Sequence, residues 1–169
     1  MLEVPATIDF LQANFYLCLL LIQRKNRSIA HHRGMKQCLY LNWRYIRSPH
    51  HDHSVFTIAD KPDREILGYV VFHTDENKTY IDDMLCQDMN KTIDALLSEF
   101  LLSQRANGIE SVSVRFAGTR LIVDKFQEFG FSVRDREDKV TVYVPPNSPE
   151  LSFLSEEENW YFMPGDKDI

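Results

Sequence analysis

The hydrophobic period of this chain changes at Pro49, and that change limits the possible folds more than any other feature. Downstream, Val55 to Ala59, Ile66 to Thr74 and Thr79 to Cys86 are runs of β-branched and aromatic residues. Two turn signals, Asp60-Lys61-Pro62-Asp63 and Asp75-Glu76-Asn77-Lys78, separate them, which predicts a three-strand antiparallel meander. Helical spacing then appears at Ile93, Leu96, Leu97, Phe100 and Leu101. It predicts an amphipathic helix from Asn90 to Asn107, stopped by Asn107-Gly108. Ser111 to Phe116 alternates polar with apolar, as a half-buried strand does. A strand, a helix and a strand in succession predict a right-handed parallel crossover.

The flanks complete the order. Ile8, Leu11, Phe15, Leu19 and Ile22 recur at helical spacing behind Thr7, and Leu17, Leu20 and Leu21 make that helix apolar almost all round. Such a helix is buried on two sides or sits at an interface. Met35, Cys38, Leu39, Asn42 and Tyr45 share a face of a second helical segment that ends at Ser48-Pro49. Beyond the crossover, Ile122, Phe126 and Phe129 predict another helix with Gly130 as its stop. Phe131 to Asp135 and Lys139 to Val144 predict a closing hairpin, followed by an acidic tail bearing Glu156-Glu157-Glu158 and Trp160. The expected fold class is α+β, a mixed, mostly antiparallel central sheet flanked by helices on both faces. One domain of 169 residues holds N-terminal helices (1–47), meander (54–86), helix–strand–helix–hairpin (90–144) and tail (145–169).

Composition excludes several functions. A net charge of −6 with scattered Lys and Arg excludes a general nucleic-acid binder. Phe15 to Ile22 is too short to span a bilayer, and Glu3 and Asp9 precede it where a leader would be basic. Cys18, Cys38 and Cys86 lie far apart in apolar segments, as buried thiols in a reducing compartment do, so the expected location is the cytoplasm. His50, His51 and His53 with Asp52 follow Pro49 in a loop. They read as solvated residues and not as a metal site, since no Cys or His elsewhere in the chain matches them as a ligand set. His31-His32 is no stronger, and His73 reads as a satisfied sheet histidine. Trp43, Arg44 and Tyr45 either line a cleft for an anionic or sugar-like ligand, or Trp43 or Tyr45 packs in the core with Arg44 bridging to a carboxylate.

Ile66-Leu67-Gly68-Tyr69-Val70-Val71 is similar to the glycine-bearing strand of the GNAT superfamily of acyl-CoA-dependent N-acyltransferases, and Phe126-Gln127-Glu128-Phe129-Gly130-Phe131 to the helix end before its last strands. Leu41-Asn42-Trp43-Arg44-Tyr45, Trp160-Tyr161-Phe162 and Gly165-Asp166-Lys167-Asp168 resemble pieces of a GNAT-like subgroup. The likeness runs from Tyr40 to the C-terminus as an order of elements. It implies acyl-CoA, acetyl-CoA or a longer thioester, as cosubstrate and an amine as acceptor. The backbone near Leu85 and Cys86 would hold the pantetheine arm, and Asn90 and Lys91 would stand at the pyrophosphate end.

Two positions depart from that pattern. The family's basic residue falls on Asp88 and its loop glycines on Lys91 and Ile93, with no glycine from Tyr69 through Asn107. The tyrosine that protonates the departing thiolate in many members falls on Phe126. On the strand that often carries the family's general base stand Asp82 and Asp83, which strand alternation sends to opposite faces. Either one takes a proton from the amine, or one is solvated and the other accepts a structural hydrogen bond. Two functions follow. One is an N-acyltransferase. The other is a non-catalytic module that binds a ligand or partner, with a second copy or a tandem domain against the first helix.

Overall fold

The expected meander forms the centre of the described residues. The computed structural model describes residues 42–47, 51–60, 65–134, 143–145 and 148–167. The first helix, most of the second, Cys18, Cys38, His31, His32 and His50 lie outside the described residues, as does most of the closing hairpin. Strands β1 (Ser54–Asp60), β2 (Glu65–Asp75) and β3 (Lys78–Cys86) are antiparallel neighbours. Helix α1 (Met89–Ala106) carries the chain back, so β4 (Ser111–Val114) pairs parallel with β3 in the order β1-β2-β3-β4. The α+β class and the mixed, mostly antiparallel sheet expected from the sequence are both present.

Helix α1 lies where its apolar stripe can be buried. Ile93, Leu96, Leu97 and Phe100 are fully buried against Phe56, Ile58, Val70, Ile81 and Met84. The Phe100 ring meets Phe56 and Phe72 edge-on, with centroids 5.6 and 5.2 Å away, a favourable aromatic arrangement. Gly68 lets the helix approach closely, since a Cβ there would stand 3.2 Å from Leu96 and 3.1 Å from the Leu85 carbonyl. At the far end of this face the buried Thr79 hydroxyl donates to Gln104 Oε1 at 2.8 Å. Gly108 and Gly130 stop their helices with φ of +78° and +87°, which costs glycine little.

Both antiparallel pairings carry a bulge. Ile58 faces Gly68 while Ala59 faces Ile66, leaving Leu67 as an extra residue. Val71 faces Asp83 while Phe72 faces Ile81, leaving Asp82 as an extra residue. A bulge turns the strand past the normal alternation. Thr79 and Ile81 face α1 before the second bulge, and Met84 and Cys86 face it after.

The C-terminal portion differs from expectation. Residues 131–134 are irregular chain and not the first strand of a hairpin. The acidic stretch read as a tail contains α3 (Leu151–Ser155), a 3₁₀ turn (Glu157–Asn159), strand β6 (Tyr161–Phe162) and a second 3₁₀ turn (Pro164–Asp166). β6 pairs antiparallel with β5 (Ala117–Gly118), just before helix α2 (Arg120–Glu128). The apolar Tyr161-Phe162-Met163 run explains the return, because Met163 is fully buried in the same core as Ile122 and Phe126. Among the described residues, the sheet face opposite α1 is covered by short turns: a π-helical turn at Asn42–Ile46 and the one at Pro164–Asp166.

Candidate functional site

The face of the sheet turned away from α1 gathers a cluster of titratable groups. His53 stands just before β1, His73 on β2 and Asp82 on β3, so three adjacent segments contribute one side chain each. His73 Nδ1 lies 2.5 Å from Asp82 Oδ2, and His53 Nε2 lies 3.5 Å from the same oxygen. The three side chains are only 7%, 13% and 13% exposed. His53 Nδ1 lies 3.2 Å from the Tyr45 carbonyl. A carbonyl only accepts, so this bond puts the proton on Nδ1. His51, itself exposed, stacks on one side of His73 with centroids 4.0 Å apart, and Tyr80 stacks with it at 5.1 Å. Burial lowers the His53 pKa below its ordinary 6.5, more than the Asp82 carboxylate raises it.

Asp83 shares this face. Strict alternation sends Asp82 and Asp83 to opposite sides, but the bulge places Asp83 directly across from Val71. Val71 lies with Tyr69 and His73 on the face away from α1. The expectation of opposite faces is therefore corrected: the extra residue lets both carboxylates avoid the apolar core. Asp83 is fully buried beside Tyr69, whose hydroxyl pKa is pushed well above 10, first by burial and then by Asp83. Above this face, Tyr45 is buried and Trp43 is 60% exposed. Arg44 donates to the Pro164 carbonyl at 3.1 Å and so ties the first turn to the last. Gly165 of the last turn fits between Tyr45 and the Asp82 backbone, since a Cβ there would strike Tyr45 Oη and stand 3.1 Å from the Asp82 carbonyl.

The other candidate residues lie at the β3–α1 junction, away from this cluster. Leu85 is half-buried, and Cys86 is buried toward α1 with its thiol pushed up to about 12 by burial and then by Asp88. Asp88 caps the helix, its Oδ1 accepting from the Asn90 backbone N–H at 3.1 Å. Lys91, 84% exposed, pairs with the other Asp88 oxygen at 3.2 Å. These contacts hold the Asp88 carboxyl below its ordinary range, with the Lys91 hydrogen bond the largest cause. A carboxylate thus already faces the amide end of α1, where an anionic ligand would otherwise lie. Phe126 is buried against Phe116 and Phe131.

Between the two regions the sheet opens. β3 pairs with β4 only over Lys78–Ile81, and from Asp82 to Cys86 no strand adjoins it on that side among the described residues. Tyr161 of β6 reaches into this opening, its hydroxyl donating to the Met84 carbonyl.

The arrangement revises the reading of the histidines. The sequence presents His51 and His53 as solvated loop residues and His73 as an isolated sheet histidine, with no metal. His51 is exposed, but His53 is half-buried beside His73 and Asp82, and one ligand atom from each lies within 4.8 Å of the others. The cluster was hidden because pairing supplies the missing partners. Carrying the observed register of Ser54 with Phe72 one step outward sets His53 beside His73.

Neither family models nor curated proteins match this chain. Among solved structures, one described as "Crystal structure of a probable acetyltransferase" is similar, at 14% identity and a TM-score of 0.46. The similarity covers 66% of this chain and 78% of that one. A likeness of this size assigns neither a family nor a reaction.

Proposed function

We propose that this chain is a GNAT-like N-acyltransferase domain that moves an acyl group from acyl-CoA to an amine, with Asp82 as proton acceptor. The observation that carries this reading is the Asp82–His73 hydrogen bond at a bulge where β3 leaves β4. The amine nitrogen attacks the thioester carbonyl, the C–N bond forms and the C–S bond breaks. The amine proton passes to Asp82, the thiolate takes a proton from water because Phe126 has none to give, and the hydroxide left behind takes the proton back from Asp82. His73 holds the carboxylate oriented. In this reading the pantetheine arm lies along Leu85 and Cys86, and Asn90 and Lys91 stand at its phosphate end. Titration calorimetry with acetyl-CoA and longer acyl-CoAs tests the reading. Absence of heat at millimolar ligand sinks it. If binding occurs, D82N should lower kcat at least about 100-fold, the loss of a general base, and unchanged turnover removes Asp82 from the role.

A second reading, a non-catalytic module for a ligand or partner, draws on a different observation. Asp88 caps the α1 amide end and Tyr161 holds the Met84 carbonyl, so the chain's own groups occupy two positions that a bound acyl-CoA would need. Acyl-CoA binding by D88S but not by the native chain would favour this module.

A further inference from the structure

We infer that His53, His73 and Asp82 form a binding site for one divalent transition-metal ion of the zinc class. Two imidazole nitrogens and one carboxylate oxygen are a ligand set that Zn²⁺ takes readily, with water or a substrate atom in the fourth position. The ligands come from three hydrogen-bonded segments of one sheet, so backbone pairing sets their spacing. His53 Nε2 and Asp82 Oδ2 are 3.5 Å apart, close to the roughly 3.3 Å between two ligands of a tetrahedral zinc.

The decisive feature is the orientation of His53. Its Nδ1–H is committed to the Tyr45 carbonyl, so Nε2 presents a lone pair toward a carboxylate oxygen. Two acceptors then face each other in a largely buried place, which is unfavourable unless a proton or a metal cation lies between them, and a metal ion also engages His73. A ligating histidine commonly donates its other ring N–H to a carbonyl in this way. At His73 the proton on Nδ1 moves to Nε2 as the ion enters. The 2.5 Å hydrogen bond to Asp82 then opens by roughly 0.8 Å toward ligand spacing. His51 stacks over His73 without joining the ligand group.

An ion here would take the Asp82 oxygen that the acyl-transfer reading uses, so bound metal and proton transfer compete. The inference does not depend on that reading, and its test contains no acyl-CoA. The full chain, stripped with chelator, is titrated with Zn²⁺ against a chromophoric chelator and with Co²⁺ by visible absorption. One ion per chain is expected, with cobalt d–d bands and no thiolate charge-transfer band. H53Q, H73Q and D82N should each weaken binding at least about 100-fold, beyond the tenfold to 100-fold typical of losing an outer partner. H51Q and the double variant H31Q/H32Q should stay within about threefold of the native chain, since the proposed ligand set is His53, His73 and Asp82 alone. X-ray absorption of the zinc-loaded native chain should show two imidazoles and only nitrogen or oxygen neighbours, a readout that stands even if a variant fails to fold. Millimolar-only binding, a sulfur neighbour, loss of binding in H31Q/H32Q or unchanged affinity in all three ligand variants would overturn the site.

Discussion

The two faces of the central sheet solve opposite problems. Toward α1, Phe56, Val70, Ile81 and Met84 meet Leu96, Leu97 and Phe100 in an apolar layer, and the buried polar groups Thr79 and Gln104 within it are paired with each other. Toward the short turns, the same strands present His53, Tyr69, His73, Tyr80, Asp82 and Asp83, covered by Tyr45 and Gly165. Removing apolar area from water stabilises the first face, and the second spends part of that stability holding ionisable groups in a dry place. The contrast separates the stability of the fold from its chemistry, although both rest on one hydrogen-bonded ladder.

The largest effect expected from this contrast is on the helix face. Phe100→Ala should cost about 3–5 kcal/mol, because the cavity lies among residues that cannot close over it. Urea denaturation measures this, and a cost below about 1 kcal/mol would mean that the α1 layer is not the core. A smaller effect is expected at the cover of the opposite face. Gly165→Val should cost about 1–3 kcal/mol by overpacking against Tyr45 and the Asp82 backbone. A variant as stable as the native chain would show that the last turn does not seal the site.

The smallest and most specific effect is on pH dependence, where the faces should respond at opposite ends of the scale. As pH falls through 6.5, unfolded His53 takes a proton before the folded residue does. Stability fully present above 6.5 is then lost toward the lowered folded value. As pH rises past 9.0, unfolded Cys86 loses its proton first, so stability present below 9.0 is lost on the way to about 12. In chelator, denaturant midpoints across this range should show a shallower acid limb in H53Q and a shallower alkaline limb in C86A. Equal limbs in both variants would break the comparison.

Much of the architecture was legible because its signals are local. The meander followed from β-branched runs and turn residues, α1 from the spacing of Ile93, Leu96, Leu97 and Phe100, and its end from Asn107-Gly108. The C-terminal return was not legible, because β6 is two residues long and pairs with an equally short β5. Such a pairing leaves no periodicity to read. Asp82 stood out as a polar residue in an apolar strand, whereas its partners did not.

The order of strands and helices, and the apolar face each presents, were contained in the chain's own periodicity, since side-chain burial repeats with the local backbone. Two single-residue bulges, at Leu67 and Asp82, lay beyond that reading. An uninterrupted count from the first turn sets His53 opposite Phe72 and not His73, and an uninterrupted alternation buries Asp83 under α1. Each bulge exists because two strands must both satisfy their backbone pairing and keep their apolar residues on one face. That requirement arises only between segments, so the gathering of His53, His73, Asp82 and Asp83 came from the packed sheet.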